Sequence, residues 1–261
     1  MNKYNIILQE GWMGDTFWAV NVCRNLQNLG YDIIVSHKWK FMTQLLELFE
    51  VPQSISGIPI SNYISRIYTH RIDHYQNPLL DYAKSFDIPD CNLTKASEFY
   101  SVHKNFYELY GDECVYDRLY ITYDNDWQNR TKLNVNYIIS TLSNYIEVMP
   151  IGGNRFINDS TPLIESSKIL INSQLHLGMC GGTTHLATYL NTKIIGSSDH
   201  LYNHYRKDNI TPEEFLNTFY PLPVHYAGNK HIITSPNISD NEFITTVLNQ
   251  LQTEKFISLT E

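Results

Sequence analysis

The stretch that constrains the fold most is Leu175 to Gly196, which reads LHLGMCGGTTHLATYLNTKIIG. A short apolar run, Leu175 to Met179, meets a turn of small residues, Cys180-Gly181-Gly182. Thr183 to Leu190 then has helical spacing, with Leu186, Ala187 and Leu190 on one face. Asn191 is placed to close that helix, and Lys193 to Gly196 reads as the next strand. Strand, tight turn, helix and strand within about 20 residues is the grammar of a parallel α/β sheet.

The turn has chemistry of its own. Gly181 and Gly182 have no Cβ, so the backbone there can bend sharply and let a ligand approach closely. Thr183 and Thr184 fall where helix-capping residues fall. The first N–H groups of a helix lack intrahelical partners, and the helix dipole adds positive potential at that end. Such an end suits a phosphate. A tight turn followed by a capped helix with no ligand satisfies the same residues.

Composition narrows the class. The chain has 261 residues, enough for one large domain or two small ones. With 43% hydrophobic and 18% charged residues it can bury a core, so global disorder is not expected. A net charge of -8 argues against non-specific binding to nucleic acid or an anionic membrane. Cys23, Cys91, Cys114 and Cys180 are scattered with no C-x-x-C pair, which fits reduced thiols and gives no zinc signal. The chain enters a strand almost at once, without a signal-peptide pattern, and no apolar run reaches membrane-spanning length. The expectation is a cytoplasmic protein.

In chain order, Tyr4 to Leu8 reads as a strand, Gln9 to Thr16 (QEGWMGDT) as a glycine-bearing loop, and Phe17 to Leu29 as a helix stopped by Gly30. Tyr31 to Ser36 is the next strand. This βαβ unit puts its loop, with Trp12, Gly14 and Asp15, at the carboxyl end of the first strand, where open parallel sheets place their sites. Gly11 and Gly14 do not form G-x-G-x-x-G, so NAD is not indicated. Asp15 also suits a helix N-cap. Trp39 to Phe49 is an amphipathic helix with Phe41, Leu45, Leu48 and Phe49 inward, ended by Pro52. Ser65 to Thr69 is a third strand. It runs into His70-Arg71-Ile72-Asp73-His74, a polar cluster placed to line an interdomain cleft or to stand in solvent. Pro78 to Phe86 is helical, and Cys91 to Asp117 is aromatic and mixed, which reads as core or rim packing. Gly111-Asp112-Glu113 marks a break, giving domains of residues 1–116 and 117–261.

The second half repeats the pattern. Asp117 to Tyr123 is a strand, followed by Asp124-Asn125-Asp126, a D-x-D too short to establish a metal site. Arg130 and Lys132 follow; either suits a phosphate, and either suits a solvated surface. Asn134 to Tyr145 is a helix, Ile146 to Pro150 a strand, and Gly152-Gly153-Asn154-Arg155 a flexible loop at its end. Asp159-Ser160-Thr161-Pro162 starts a helix that runs to about Ile171. Ser197 to His200 is a loop placed to touch a ligand, Pro212 to Leu216 a short helix, and Asp240 to Leu251 a final amphipathic helix.

The stretch Gly178-Met179-Cys180-Gly181-Gly182-Thr183-Thr184-His185-Leu186-Ala187 resembles the donor-binding loop of family 9 glycosyltransferases, the heptosyltransferase-like enzymes. Their pattern is an apolar strand, then Gly-x-Asp-Ser/Thr-Gly-x-x-His-Leu-Ala. Here Cys180 stands for the Asp and Gly181 for the hydroxyl residue. The resemblance implies two Rossmann-like domains facing across a cleft, the GT-B fold, with the second domain reduced. It implies a glycosyltransferase that moves a sugar from a nucleotide-diphosphate donor to a glycan or other hydroxyl acceptor, with inversion and without a metal or other cofactor. The Gly14-Asp15 pair matches a Gly-Asp pair before the family's first helix, which makes Asp15 the general base. Gly181, Gly182, Thr183, Thr184 and His185, with Arg130 or Lys132, would hold the donor; Trp12, Gly14, His70 and Arg71 would line the acceptor side. Three further readings stay open: another GT-B enzyme such as a nucleotide-sugar epimerase, a phage-type glycosyltransferase acting on DNA bases, and a nucleotide-sugar-binding protein without catalysis.

Overall fold

The computed structural model describes residues 3–8, 13–54, 59–68, 78–111, 119–153, 162–178, 181–197 and 231–256, with residues 13–15, 40, 68 and 78 by their backbone alone. The chain divides into two compact units, residues 1–109 and 110–261. Each is built on its own all-parallel sheet, as the strand–helix–strand grammar predicts.

In the first unit β1 (Lys3–Leu8), β2 (Asp32–Ser36), β3 (Gln53–Ser54) and β4 (Ile64–Tyr68) stand in the order β3-β2-β1-β4. All of β1 except Lys3 is buried, so the strand reads as a near-continuous apolar run. Its one polar interruption, Asn5, accepts a hydrogen bond from Ser36 Oγ on β2 at 2.8 Å. Between them runs α1 (Met13–Asn28), which buries Phe17, Val20, Val22, Cys23 and Leu26. It closes on Gly30 at φ +90, with Tyr31 N–H reaching Leu26 O and Gly30 N–H reaching Gln27 O, a left-handed stop that only glycine adopts cheaply.

Two expectations for this unit need correction. The helix begins at Met13, four residues before the expected Phe17, because a polar first turn carries no apolar periodicity. Gly14 and Asp15 therefore belong to the helix's first turn and not to a preceding loop, so Asp15 is not its N-cap. In α2 (Lys40–Leu48) the inward residues are Met42, Leu45, Leu46 and Leu48, followed by Phe49; Phe41 is half-buried and stacks on Trp39. The mixed stretch after Cys91 folds into α4 (Leu93–Ala96) and α5 (His103–Tyr110), following α3 (Pro78–Ser85). Ala96, Val102 and Phe106 of this stretch are buried, and polar bonds tie it to α1. The Asn21 amide, fully buried on α1, donates to Glu98 O at 2.7 Å and accepts from Tyr100 N–H at 2.8 Å. Asn25 donates to Ala96 O and Glu98 O one turn on.

In the second unit β5 (Tyr120–Asp124), β6 (Glu147–Ile151), β7 (His176–Leu177), β8 (Ile194–Ser197) and β9 (Ile232–Thr234) stand in the order β6-β5-β7-β8-β9. Among the described residues four helices serve it: α6 (Val135–Leu142), α7 (Leu163–Asn172), α8 (Gly182–Tyr189) and α9 (Asp240–Thr253). On one side Ile121, Leu177 and Ile195 of the sheet pack with Ile138 and Leu142 of α6 and Phe243, Val247 and Leu251 of α9. Trp127 is fully buried among them, its ring 5.4 Å from that of Phe243. The last helix starts with a full capping box, Ser239 with Glu242. No described helix is long and apolar enough to cross a membrane.

The asparagine clamp yields a stability test. Asn21→Ala leaves Tyr100 N–H without its acceptor in a half-buried site and removes a fully buried amide, so it should lower the free energy of unfolding by about 1–2 kcal/mol. Urea titration reads this as a lower midpoint with an unchanged slope.

Candidate functional site

The site lies where the order of the second sheet reverses. From β5 the chain passes through α6 to β6 on one side, then returns through α7 to β7 on the other. Open α/β sheets bind ligands outside the carboxyl ends of strands at such a reversal. Three strand ends meet there: Asp124 closes β5, opposite Ile151 of β6, and Tyr123 pairs with Leu177 of β7. Gly152 and Gly178 follow the two outer strands, and α8 begins at the same edge.

Glycine lets these pieces close up. A Cβ at Gly181 would overlap Asp124 Oδ2 and stand 3.1 Å from Arg130 Nη1. At Gly152, with φ at +76, a Cβ would stand 2.5 Å from Thr183 Cγ2. At Gly178 it would stand 2.9 Å from Thr184 Oγ1 and 3.0 Å from His176 Nε2. Gly181 is the N-cap of α8, in extended conformation, and brings no side chain to the helix's first amides. Thr183 and Thr184, expected at the capping position, are the second and third residues inside the helix and are buried. From Thr183 to Tyr189 every residue of α8 is buried, so its N-terminal potential is poorly screened by water. The far end closes as expected on Asn191 at φ +62, with Thr192 N–H on Ala187 O and Asn191 N–H on Thr188 O.

The charges are arranged around one guanidinium. Arg130 Nε and Nη2 both reach Asp126 Oδ2, at 2.9 and 2.7 Å, and this pair is largely buried. Asp126 also accepts from Asn129 Nδ2, at 2.8 Å. Asp124 Oδ1 accepts the Asp126 N–H at 2.9 Å. Burial raises the Asp124 carboxyl pKa above its ordinary value, against the lowering pull of Arg130, the Asp126 amide and the Thr183 hydroxyl. His185, in the first turns of α8, has its pKa brought down to about 3, first by burial and then by Arg130. His176 on β7 falls to about 3 by burial alone, with Nδ1 placed 3.1 Å from Thr122 Oγ1. Both rings are therefore neutral at physiological pH, and among the described residues the charge of this edge lies in the carboxyls and the arginine.

Chains of this architecture are known. No protein-family model matches the sequence, and no curated protein matches it. Among solved structures, the dodecameric iron-containing glycosyltransferase TibC of enterotoxigenic E. coli H10407 superposes with a TM-score of 0.62 at 12% identity, over 97% of this chain and 77% of that one. The E. coli ADP-heptose lps heptosyltransferase II gives 0.60 at 11% identity, over 97% and 99%. The family 9 glycosyl transferase of Veillonella parvula gives 0.53 at 10% identity, over 97% and 98%. The fold is that of the heptosyltransferases. TibC is also known in complex with ADP-D-β-D-heptose.

On this fold the expected donor residues fall unevenly. Gly181, Gly182, Thr183, Thr184 and His185 gather at the reversal, and Arg130 reaches it; Lys132 is exposed. Of the loop after β6, Gly152 packs on Thr183, while Asn154 and Arg155 lie outside the described residues, as do Met179, Cys180, Ser198 to His200 and Pro212 to Leu216. In the first unit the order also reverses, between β1 and β4, whose ends Leu8 and Tyr68 are register partners. The segments with Trp12 and with His70 and Arg71 leave from those adjacent ends; these three residues, and the Asp15 side chain, lie outside the described residues. Asp124 was legible only as half of a D-x-D. As the last residue of the first strand of a βαβ unit it also stands at the predicted site edge, which is the signal that finds it. Among the described residues no group of three or more His, Cys, Asp or Glu is placed to hold a metal ion.

The fit at Gly181 can be tested directly. Gly181→Ala forces its methyl onto Asp124 and should cost about 1–3 kcal/mol of stability. Adding Asp124→Ala vacates that space, so the double variant should be more stable than the two separate losses sum to, read by a double-mutant cycle in urea.

Proposed function

We propose that this protein is a glycosyltransferase that moves a sugar from a nucleoside-diphosphate donor to an acceptor hydroxyl. The observation that carries the reading is the start of α8: a buried helix whose N-cap is a glycine with no side chain of its own to cap it, at the reversal point of a parallel sheet, beside Arg130. That combination suits a diphosphate. The shared fold of TibC and heptosyltransferase II, and the ADP-heptose complex of TibC, favour an ADP-linked sugar as the first donor to try.

The chemistry follows from charge. As the donor's anomeric carbon becomes oxocarbenium-like, negative charge grows on the leaving diphosphate. The amides at Gly181, Gly182 and Thr183 and the Arg130 guanidinium are the groups we assign to stabilise it, without a metal. A base must take the acceptor proton as the new bond forms, and we assign that role to Asp15. Its backbone lies in the first turn of α1, at the carboxyl end of β1. Attack on the face opposite the diphosphate inverts the anomeric centre. Gly14, Trp12, His70 and Arg71 are our acceptor-side residues.

Two measurements test this. ADP at about a hundred times its dissociation constant should raise stability by about 2.7 kcal/mol, seen as a higher melting temperature. A screen of nucleotide sugars with no such shift would remove the donor site. With a donor and acceptor in hand, Asp15→Asn should lower kcat by about 100-fold or more while donor binding is retained. A loss within about threefold rules Asp15 out as the base, and product formed without acceptor points to an epimerase instead.

A further inference from the structure

Resting on the donor site just described, we propose that a diphosphate binds at the start of α8 only with uptake of a proton by Asp124, which then faces the anion as its neutral acid. The geometry makes this necessary. Asp124 Oδ2 occupies the space a Cβ of Gly181 would take, at the N-cap of the very helix assigned to the anion. It is a carboxyl where the phosphate's negative charge has to come close.

The neighbours do not neutralise it. From the turn after β5, Asp126 contributes a second carboxylate and Arg130 a single positive charge. Asp126 takes two of the guanidinium's nitrogens, while Asp124 Oδ2 and Arg130 Nη1 both border the place a Gly181 Cβ would take. From α8 comes His185, and from β7 His176, both buried rings that carry no charge at physiological pH. The described end of β6 offers Ile151, Gly152 and Gly153, with no titratable group. Among the described residues, two ionised carboxyls against one guanidinium leave this edge net negative before any ligand arrives. A diphosphate adds further negative charge in a site with little water, where like charges repel strongly. Burial already favours the neutral form of Asp124, so a proton is the least costly compensation.

The sign of the effect is fixed. Anion binding raises the Asp124 pKa above its value in the free protein, so protons are taken up on binding. Affinity is full below the free protein's Asp124 pKa. It falls as pH rises through that point, by up to tenfold per pH unit at the steepest.

The experiment is calorimetric titration of the full chain with ADP at about pH 8, where the terminal phosphate of free ADP is ionised. Two buffers of different ionisation enthalpy are used. The wild type should take up close to one proton per ADP, and its Kd should rise as pH is raised further. Asp124→Asn, which keeps the shape and removes the charge, should take up none, bind at least as tightly at that pH, and show no such slope. If Asp124→Asn does not fold, Asp124→Ser removes the charge and leaves the space at Gly181 open. Equal proton counts and equal slopes in wild type and variant overturn the proposal, as does a wild type that takes up no proton. If ADP gives no binding heat with either protein at any pH, the donor site itself is refuted, an outcome distinct from binding without a proton.

Discussion

The carboxyl of Asp124, seated where a side chain at residue 181 would otherwise stand, organises the whole carboxyl edge of the second sheet. It makes glycine obligatory at the N-cap of α8, so the capping residue has no side chain of its own to offer the first amides. It shares Arg130 with Asp126 and so holds the only guanidinium of that edge, among the described residues, between two acids. It also explains a departure in the sequence. The resembled donor loop carries a hydroxyl residue where Gly181 stands, and a Ser or Thr there would collide with Asp124.

Around that contact the architecture is generic. Parallel pairing forces every connection to cross over through a helix, so strand ends and helix starts collect on one edge. Each sheet reverses its order once, and each reversal opens a place where chain ends part. This is why a chain only 10 to 12% identical to the heptosyltransferases keeps their fold. Buried strands such as β1 need apolar runs, not particular residues. What differs is local: the glycines at 152, 178 and 181 and the residues they admit.

Much of this was legible beforehand, and the misses have physical causes. The strands β1, β2, β4, β5, β6 and β8 and the helices α3, α6, α7 and α9 fall where apolar periodicity puts them. The start of α1 is not legible because Met13 to Thr16 (MGDT) carries no apolar periodicity in the sequence. β3 is two residues long and gives no pattern at all. Ala96 to Tyr100, in the stretch that reads as mixed, gives little local signal because it is held by Asn21 and Asn25 from α1, contacts 71 to 79 residues away in sequence. At the site, Gly181 to His185 stood out because glycine and threonine before an apolar helix carry a local signal. Arg130 and Lys132 could not be separated, since only packing buries one and exposes the other.

By itself the sequence determined two parallel α/β units, a glycine turn opening a buried helix, and the residues of that turn. Those follow from backbone freedom and from the spacing of apolar residues, which act over a few positions. Only the tertiary structure decided that Asp124, 57 residues earlier than Gly181, fills that glycine's empty side, and that Arg130 answers to two acids. Charge and steric exclusion act through space, and no spacing along the chain records which strand end will lie against which turn.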